Sequence, residues 1–248
     1  MKILVCISHV PDTTSKINFT ANNTAFDTTG VQFIINPYDE FGLTRALWIK
    51  EKQGGTITAV TVGTATVEPT LRKALAIGAD DAIRIDAAPT DAFYVAKQLA
   101  ALVQENGYDL VICGQESIDY NGGQVPGLLG AMLNWPTVSP CVQMELTGTT
   151  ATLTREIDGG KEISTAELPI VIGGKKGLVE EKDLRIPNMR GIMMARSKPL
   201  AVRPAVDADM RTKTIKFDKP AAKAAVKLID KDDVATLVNL LHEEAKVI

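Results

Sequence analysis

With 248 residues, 45% of them hydrophobic and 23% charged, the chain carries enough apolar material for one sizeable α/β core plus an appendage. A formal net charge of −3 gives no electrostatic case for nucleic acid, and no window approaches the roughly 18 consecutive apolar residues of a membrane span. Cys6, Cys113 and Cys141 are widely separated and lack CxxC spacing, which favours a reducing compartment over a disulfide or zinc framework; the opening MKILVCIS turns polar at His9, Pro11 and Asp12, too soon for a signal-peptide core, so a cytoplasmic location is expected.

From the start, strand-like and helix-like runs alternate. Residues 2–8 read as a strand, 38–53 as a helix with Leu43, Ala46 and Leu47 at i, i+3 and i+4, and 56–62 as a second strand. Val67, Leu71 and Leu75 mark a second helix, 82–85 a strand, and Val95, Leu99, Leu102 and Val103 a third helix. Such alternation implies a mostly parallel, Rossmann-like sheet flanked by helices, with ligands bound at the C-terminal strand ends where the strand order reverses.

Residues 108–136, YDLVICGQESIDYNGGQVPGLLGAMLNWP, then deliver a polar, glycine-rich loop onto a helix. Leu110, Val111, Ile112 and Cys113 suit a buried strand that Gly114 ends. Asp119, Asn121, Gly122, Gly123 and Gln124 precede a helical stretch over 128–133. Backbone N–H groups at such a helix start attract phosphate without a cationic side chain. A loop whose glycines serve only for turning is the alternative. Gly122, Gly123, Gly127 and Gly130 fit neither GxGxxG nor GxxxxGK[ST], which lowers the weight of ordinary dinucleotide and P-loop readings.

Beyond Trp135 the pattern becomes β-rich over 138–146, 151–157 and 162–166, with Asp158-Gly159-Gly160 as a hairpin signal. This predicts an antiparallel edge on the parallel sheet, closed by a buried strand at 168–172 whose Pro169 suits a sheet edge. Residues 185–203 carry five basic residues and no acidic one, interleaved with Ile186, Met189, Ile192, Met193 and Met194. Two readings stay open here: a solvated helix with a packed face, or a segment that docks on an acidic partner. Residues 205–225 predict an extended arm, and Val234, Leu237, Val238 and Leu241 an amphipathic helix beyond it.

Recognisable catalytic chemistry is sparse. His242 sits beside Glu243 and Glu244, His9 has no triad or metal partner visible in sequence, and no GxSxG, HExxH or metal-ligand pattern occurs.

Six ordered blocks carry a resemblance: MKILVCISHVPDT, INPYDEFGLTRAL, LRKALAIGADDAIRI, DLVICGQESID, LTREIDGGKE and IPNMRGIMMARSKP. Together they resemble the β subunits of electron transfer flavoproteins over essentially the whole chain. The resemblance implies an adenine-nucleotide hydrolase-like α/β domain over 1–184, a partner-recognition segment over 185–203, and a C-terminal arm and helix over 204–248 docking on an α subunit. It implies an electron-carrier subunit rather than an enzyme in its own right. With its partner, such a chain takes electrons from flavin dehydrogenases, such as the acyl-CoA dehydrogenases of fatty acid oxidation, and passes them to a quinone reductase or another acceptor.

The implied cofactors are FAD, mainly on the α subunit, and AMP in the β site. In the alternative, electron-bifurcating members, a second FAD occupies that site and NADH supplies a hydride. A free-standing nucleotide-binding module is the third reading. Family nucleotide contacts fall on Cys6, on Asn36, Pro37, Tyr38 and Asp39, on Val62, and on the run containing Asp119, Asn121, Gly122, Gly123, Gln124, Val125, Gly127 and Leu128. Tyr38 matches an aromatic that approaches the partner's flavin. Ile186 matches a leucine that enters a pocket of the dehydrogenase, with Arg190, Arg196 and Lys198 beside it. Val125-Pro126 replaces the family's usual polar-Gly pair, which removes an N–H, and Thr13 replaces an aromatic found near the flavin in some relatives.

Overall fold

The computed structural model describes residues 1–89, 91–223 and 225–248. In chain order the elements are β1 (Lys2–Cys6), β2 (His9–Pro11), β3 (Phe19–Thr20), β4 (Ala25–Phe26), β5 (Phe33–Ile35), α1 (Pro37–Gln53), β6 (Thr56–Val62), α2 (Glu68–Ile77), β7 (Asp81–Asp86), α3 (Ala92–Asn106), β8 (Leu110–Gly114) and α4 (Val125–Leu133). They continue with β9 (Thr137–Thr147), β10 (Thr150–Ile157), β11 (Gly160–Glu167), β12 (Ile170–Gly174), α5 (Met189–Ala195), β13 (Leu200–Pro204) and α6 (Val234–Asn239).

Nine strands form one sheet in the order β11-β10-β9-β12-β8-β1-β6-β7-β13, parallel except where β10 runs antiparallel to β9 and β11. Alternate residues of the central strands serve opposite faces. Ile3 and Val5 pack with Leu43 and Leu47 of α1 and with Leu71 and Leu75 of α2, while Leu4 and Cys6 pack with Leu99 and Val103 of α3 and with Leu129 of α4. The helices begin where the sequence permits. Pro37 occupies the first turn of α1 with Asp39 and Glu40 behind it, and Asp91 caps α3 by accepting the Tyr94 N–H at 2.7 Å.

Three expectations change. The strand at 168–172 is β12, starting at Ile170, and it lies inside the sheet between β9 and β8 instead of closing an edge; Pro169 precedes it, so no ladder hydrogen bond is lost. Leu200–Pro204, hidden at the end of the basic stretch, pairs with β7 from Leu200↔Ala82 to Pro204↔Asp86 and forms the far edge. The arm expected over 205–225 contains no helix or strand among its described residues, yet its first half lies on its own domain. Gln98 exchanges hydrogen bonds with the Val206 backbone, Asp91 accepts the N–H groups of Arg211 and Thr212, and Phe217 stacks on Phe19 at 4.8 Å.

Candidate functional site

β1 lies between β6 and β8, and the chain fills one side of it before returning to the other. The loops leaving these three strands therefore splay around a single opening. A cavity of about 810 Å³ occupies it, lined by Ile7, Ser8 and His9 after β1, Val62, Gly63 and Thr64 at the end of β6, Thr70 and Lys73 of α2, Asp91 and Val95 at α3, and Asp119, Gly122 and Val125 of the glycine loop. A smaller recess of about 60 Å³ shares several of these walls and reaches Cys6, Asp39, Cys113 and Gly114.

The glycine loop is held from a distance. Asn36, fully buried, donates its side-chain amide to the Glu116 carbonyl at 2.8 Å and accepts the Ile118 N–H at 3.3 Å. Ser117 and Gly122 exchange backbone hydrogen bonds of 3.1 and 3.2 Å, closing a turn in which Asn121 takes φ +48°. The Asp119 carboxylate accepts from the Ser117 hydroxyl and the Tyr120 N–H. Beyond this turn, the N–H groups of Gly123, Gln124, Val125 and Gly127 have no acceptor among the described residues. Unpaired donors at the start of α4 are what an anion requires. Pro126 sits in the first turn of α4, where it costs one such donor while its ring favours the helical φ.

Asp39 ties two strand ends together. Its carboxylate accepts the Ser8 N–H at 2.6 Å and the Gly114 N–H at 2.9 Å, joining the ends of β1 and β8 under the cavity. Burial raises its pKa from 3.8 to about 7, against the opposing effect of those donors. Gly114 is required by this packing, since a Cβ there would press into Asp39 Oδ1 and lie 2.7 Å from the Tyr38 Cβ. Cys6 and Cys113 are buried beside one another; hydrogen bonding to Cys113, then burial, pushes the Cys6 thiol well up, away from nucleophilic thiolate.

Thus Cys6, Asp39, Val62, Asp119, Gly122 and Val125 meet around the cavity and its recess. Asn36 and Tyr38 support the loop and the β8 end from behind, Pro37 begins α1 between them without lining the cavity, and Asn121, Gly123, Gln124, Gly127 and Leu128 form the outer turn and the start of α4. Sequence reasoning missed the structural demand at Gly114, visible only as a strand-ending glycine. It also missed the placement of His9, whose ring stacks on Phe33 at 4.3 Å while Nδ1 lies 2.7 Å from the Thr70 hydroxyl. No local signal announces either role, because Asn36, Asp39 and Thr70 are distant in sequence.

A second surface lies on α2. Gly191 and Ala195 bring α5 against it, and the Arg72 guanidinium donates to the Ala195 and Lys198 carbonyls at 2.8 Å. The opposite side is exposed: Ile186 is 81% accessible and Met189 77%, with Ile192, Met193 and Met194 nearby. Arg190 and Arg196 are exposed. Lys198 departs from the expected docking set: its ammonium donates to the Leu75 and Ala79 carbonyls at 2.9 and 2.5 Å, at the end of α2.

A family model described as the electron transfer flavoprotein domain matches residues 23–208. The chain is 36% identical to the electron transfer flavoprotein subunit beta of Bacillus subtilis, over 100% of both chains. It is 35% identical to that of Syntrophomonas wolfei, over 94% of this chain and 92% of the relative, and 32% identical to that of Homo sapiens, over 94% and 95%. A strand-end cavity fed by a glycine loop, an exposed apolar segment on α2 and these full-length likenesses agree: the chain belongs to the electron transfer flavoprotein β subunit family.

Proposed function

We propose that this chain pairs with an electron transfer flavoprotein α subunit, holds AMP in its strand-end cavity, and serves in a heterodimer that carries electrons from flavin dehydrogenases to a quinone reductase or another acceptor. The observation that carries the nucleotide reading is the row of unpaired N–H groups at Gly123, Gln124, Val125 and Gly127, beside a cavity walled by Val62 and Gly122. Those donors would receive a phosphate, and the apolar floor between Val62 and Val95 would take a purine face. The FAD, mainly on the α subunit, supplies the redox chemistry. This chain's residues bind, orient and dock.

Ile186 and its neighbouring methionines offer an adaptable apolar surface for a dehydrogenase, with Arg190 and Arg196 speeding encounter with an acidic partner. The far half of the arm and the exposed Val234, Leu237 and Val238 of α6 are suited to the α subunit. A second reading, FAD in the β site of a bifurcating complex, is kept for one reason: about 810 Å³ lies high in the range of about 300 to 1,000 Å³ typical of ligand sites.

The test is anaerobic reduction of the co-expressed αβ complex. Flavin bleaching by a reduced flavin dehydrogenase, with none by NADH alone, supports the carrier reading. Direct reduction by NADH favours the bifurcating one, and failure to form a complex with an α subunit overturns both.

A further inference from the structure

Two basic side chains line the cavity among the described residues, and they are differently placed. The Lys73 ammonium is paired with Glu40 at 2.8 Å, whereas the His9 imidazole has no carboxylate partner: Phe33 stacks on its face, the Thr70 hydroxyl meets Nδ1, and Nε2 makes no hydrogen bond among the described residues. We propose that His9 takes up a proton when the nucleotide binds and, as imidazolium, meets its phosphate, so that nucleotide retention strengthens as pH falls. This rests on the proposed nucleotide site.

The charge around His9 explains why a proton is needed. Asp119 faces it from the glycine loop, Asp91 lines the same cavity at the start of α3, and the Lys73–Glu40 pair spans α2 and α1, with Asp12 close enough to feel Lys73. Asp91 accepts the N–H groups of Tyr94, Arg211 and Thr212, and Asp119 accepts from the Ser117 hydroxyl and the Tyr120 N–H, so both carboxylates already have donors. A phosphate entering this wall brings further negative charge, which the N–H groups of α4 offset only in part. Without ligand, burial lowers the His9 pKa below its ordinary 6.5, with Asp119 opposing, so the ring is mostly neutral at pH 7. An adjacent phosphate favours the charged form. The folded protein then binds more protons with ligand than without, so affinity must fall as pH rises through the pKa of the liganded site. Thr70 and Phe33 fix the ring plane, and a fixed ring presents Nε2–H in one direction.

The experiment uses the αβ complex stripped of nucleotide, with AMP and adenosine as probes, titrated by calorimetry between pH 6 and pH 8 for the wild type and His9→Gln. Gln keeps a hydrogen-bonding group near Thr70 but cannot ionise. The ratio of the variant to the wild-type AMP dissociation constant should be several-fold at pH 6, rising toward the roughly tenfold limit of a one-unit pKa displacement at lower pH, and should approach one at pH 8. The phosphate's own titration cancels in that ratio. Repeating the titrations at pH 7 in two buffers of different ionisation enthalpy should show that proton uptake with AMP relative to adenosine is greater in the wild type than in His9→Gln, which keeps the phosphate's titration but not the imidazole's. A ratio that does not change with pH, or an AMP-over-adenosine proton uptake equal in the wild type and His9→Gln, overturns the role of His9 while leaving the nucleotide site intact. Absence of AMP binding by the wild type overturns the site itself.

Discussion

Two glycines near the cavity should respond oppositely to the same added methyl group. Gly114→Ala places a Cβ against Asp39 Oδ1, 2.7 Å from the Tyr38 Cβ and 3.1 Å from Asn36 Nδ2. None of these neighbours is a free chain end, because Asp39 is bonded to Ser8 and Gly114, and Asn36 to Glu116 and Ile118. Overpacking of this kind costs about 1 to 3 kcal/mol, and loosening a hydrogen bond to a buried carboxylate about 1.5 to 3 more. A total loss of roughly 2.5 to 6 kcal/mol is therefore expected, together with reduced nucleotide retention, since Asn36 shapes the loop. In Gly127→Ala the new methyl meets nothing within 4 Å, on an exposed turn of α4, so the substitution should be neutral or stabilise by up to about 1 kcal/mol. Urea denaturation of both variants in the αβ complex, with bound nucleotide measured alongside, checks the pair. A Gly114→Ala variant as stable as wild type would refute the claim that Asn36, Asp39 and Gly114 form one packed unit.

Ile186→Ala should leave stability within about 0.5 kcal/mol, because the side chain is 81% accessible, while weakening docking by about 1 to 3 kcal/mol; unchanged reduction kinetics with the cognate dehydrogenase would remove it as an anchor. Lys198→Met should instead lower thermal stability with little change in the salt dependence of electron transfer, as its ammonium is bonded to the Leu75 and Ala79 carbonyls; the reverse pattern would restore it to the docking surface. Asp39 holds its proton up to about pH 7 when folded but releases it near pH 4 when unfolded, so its contribution to stability falls as pH rises between those values and is level above, by on the order of 4 kcal/mol at most; Asp39→Asn should flatten that slope, and an unaltered slope in pH-dependent denaturation would contradict the assignment. Limited proteolysis of the chain without its partner should begin between residues 220 and 233, beyond the Phe217–Phe19 stack and the Lys219–Asn18 hydrogen bond; early cleavage between 205 and 217 would show that the arm does not rest on its own domain.

Local patterning revealed the central strands because β1, β6 and β8 are buried on both faces and read as short apolar runs, and the helices because α2 and α3 show one apolar face. It did not reveal where β12 inserts, since pairing with β8 and β9 is decided by crossover geometry and not by the residues Ile170–Gly174 alone. Nor did it show β13, a five-residue edge strand with exposed Ala201 and Val202 at the end of the basic stretch. At the site, the glycine loop was legible because glycine and polar residues precede a helix. The grip of Asn36 on Glu116, across 80 residues, was not. The charge pattern of 185–203 suggested a single surface, but only the fold separates Arg190 and Arg196, which face solvent, from Lys198, which turns inward.

Releasing and counting the nucleotides of the purified αβ complex by mass spectrometry shows whether the cavity at the ends of β1, β6 and β8 holds a nucleotide while the redox flavin belongs mainly to a partner subunit. One AMP and one FAD per heterodimer is the predicted result, with less AMP retained in Gly114→Ala. Two FAD and no AMP would move the chain to the bifurcating reading, and a complex that carries FAD alone, at one per heterodimer, would contradict the claim that this cavity is a nucleotide site.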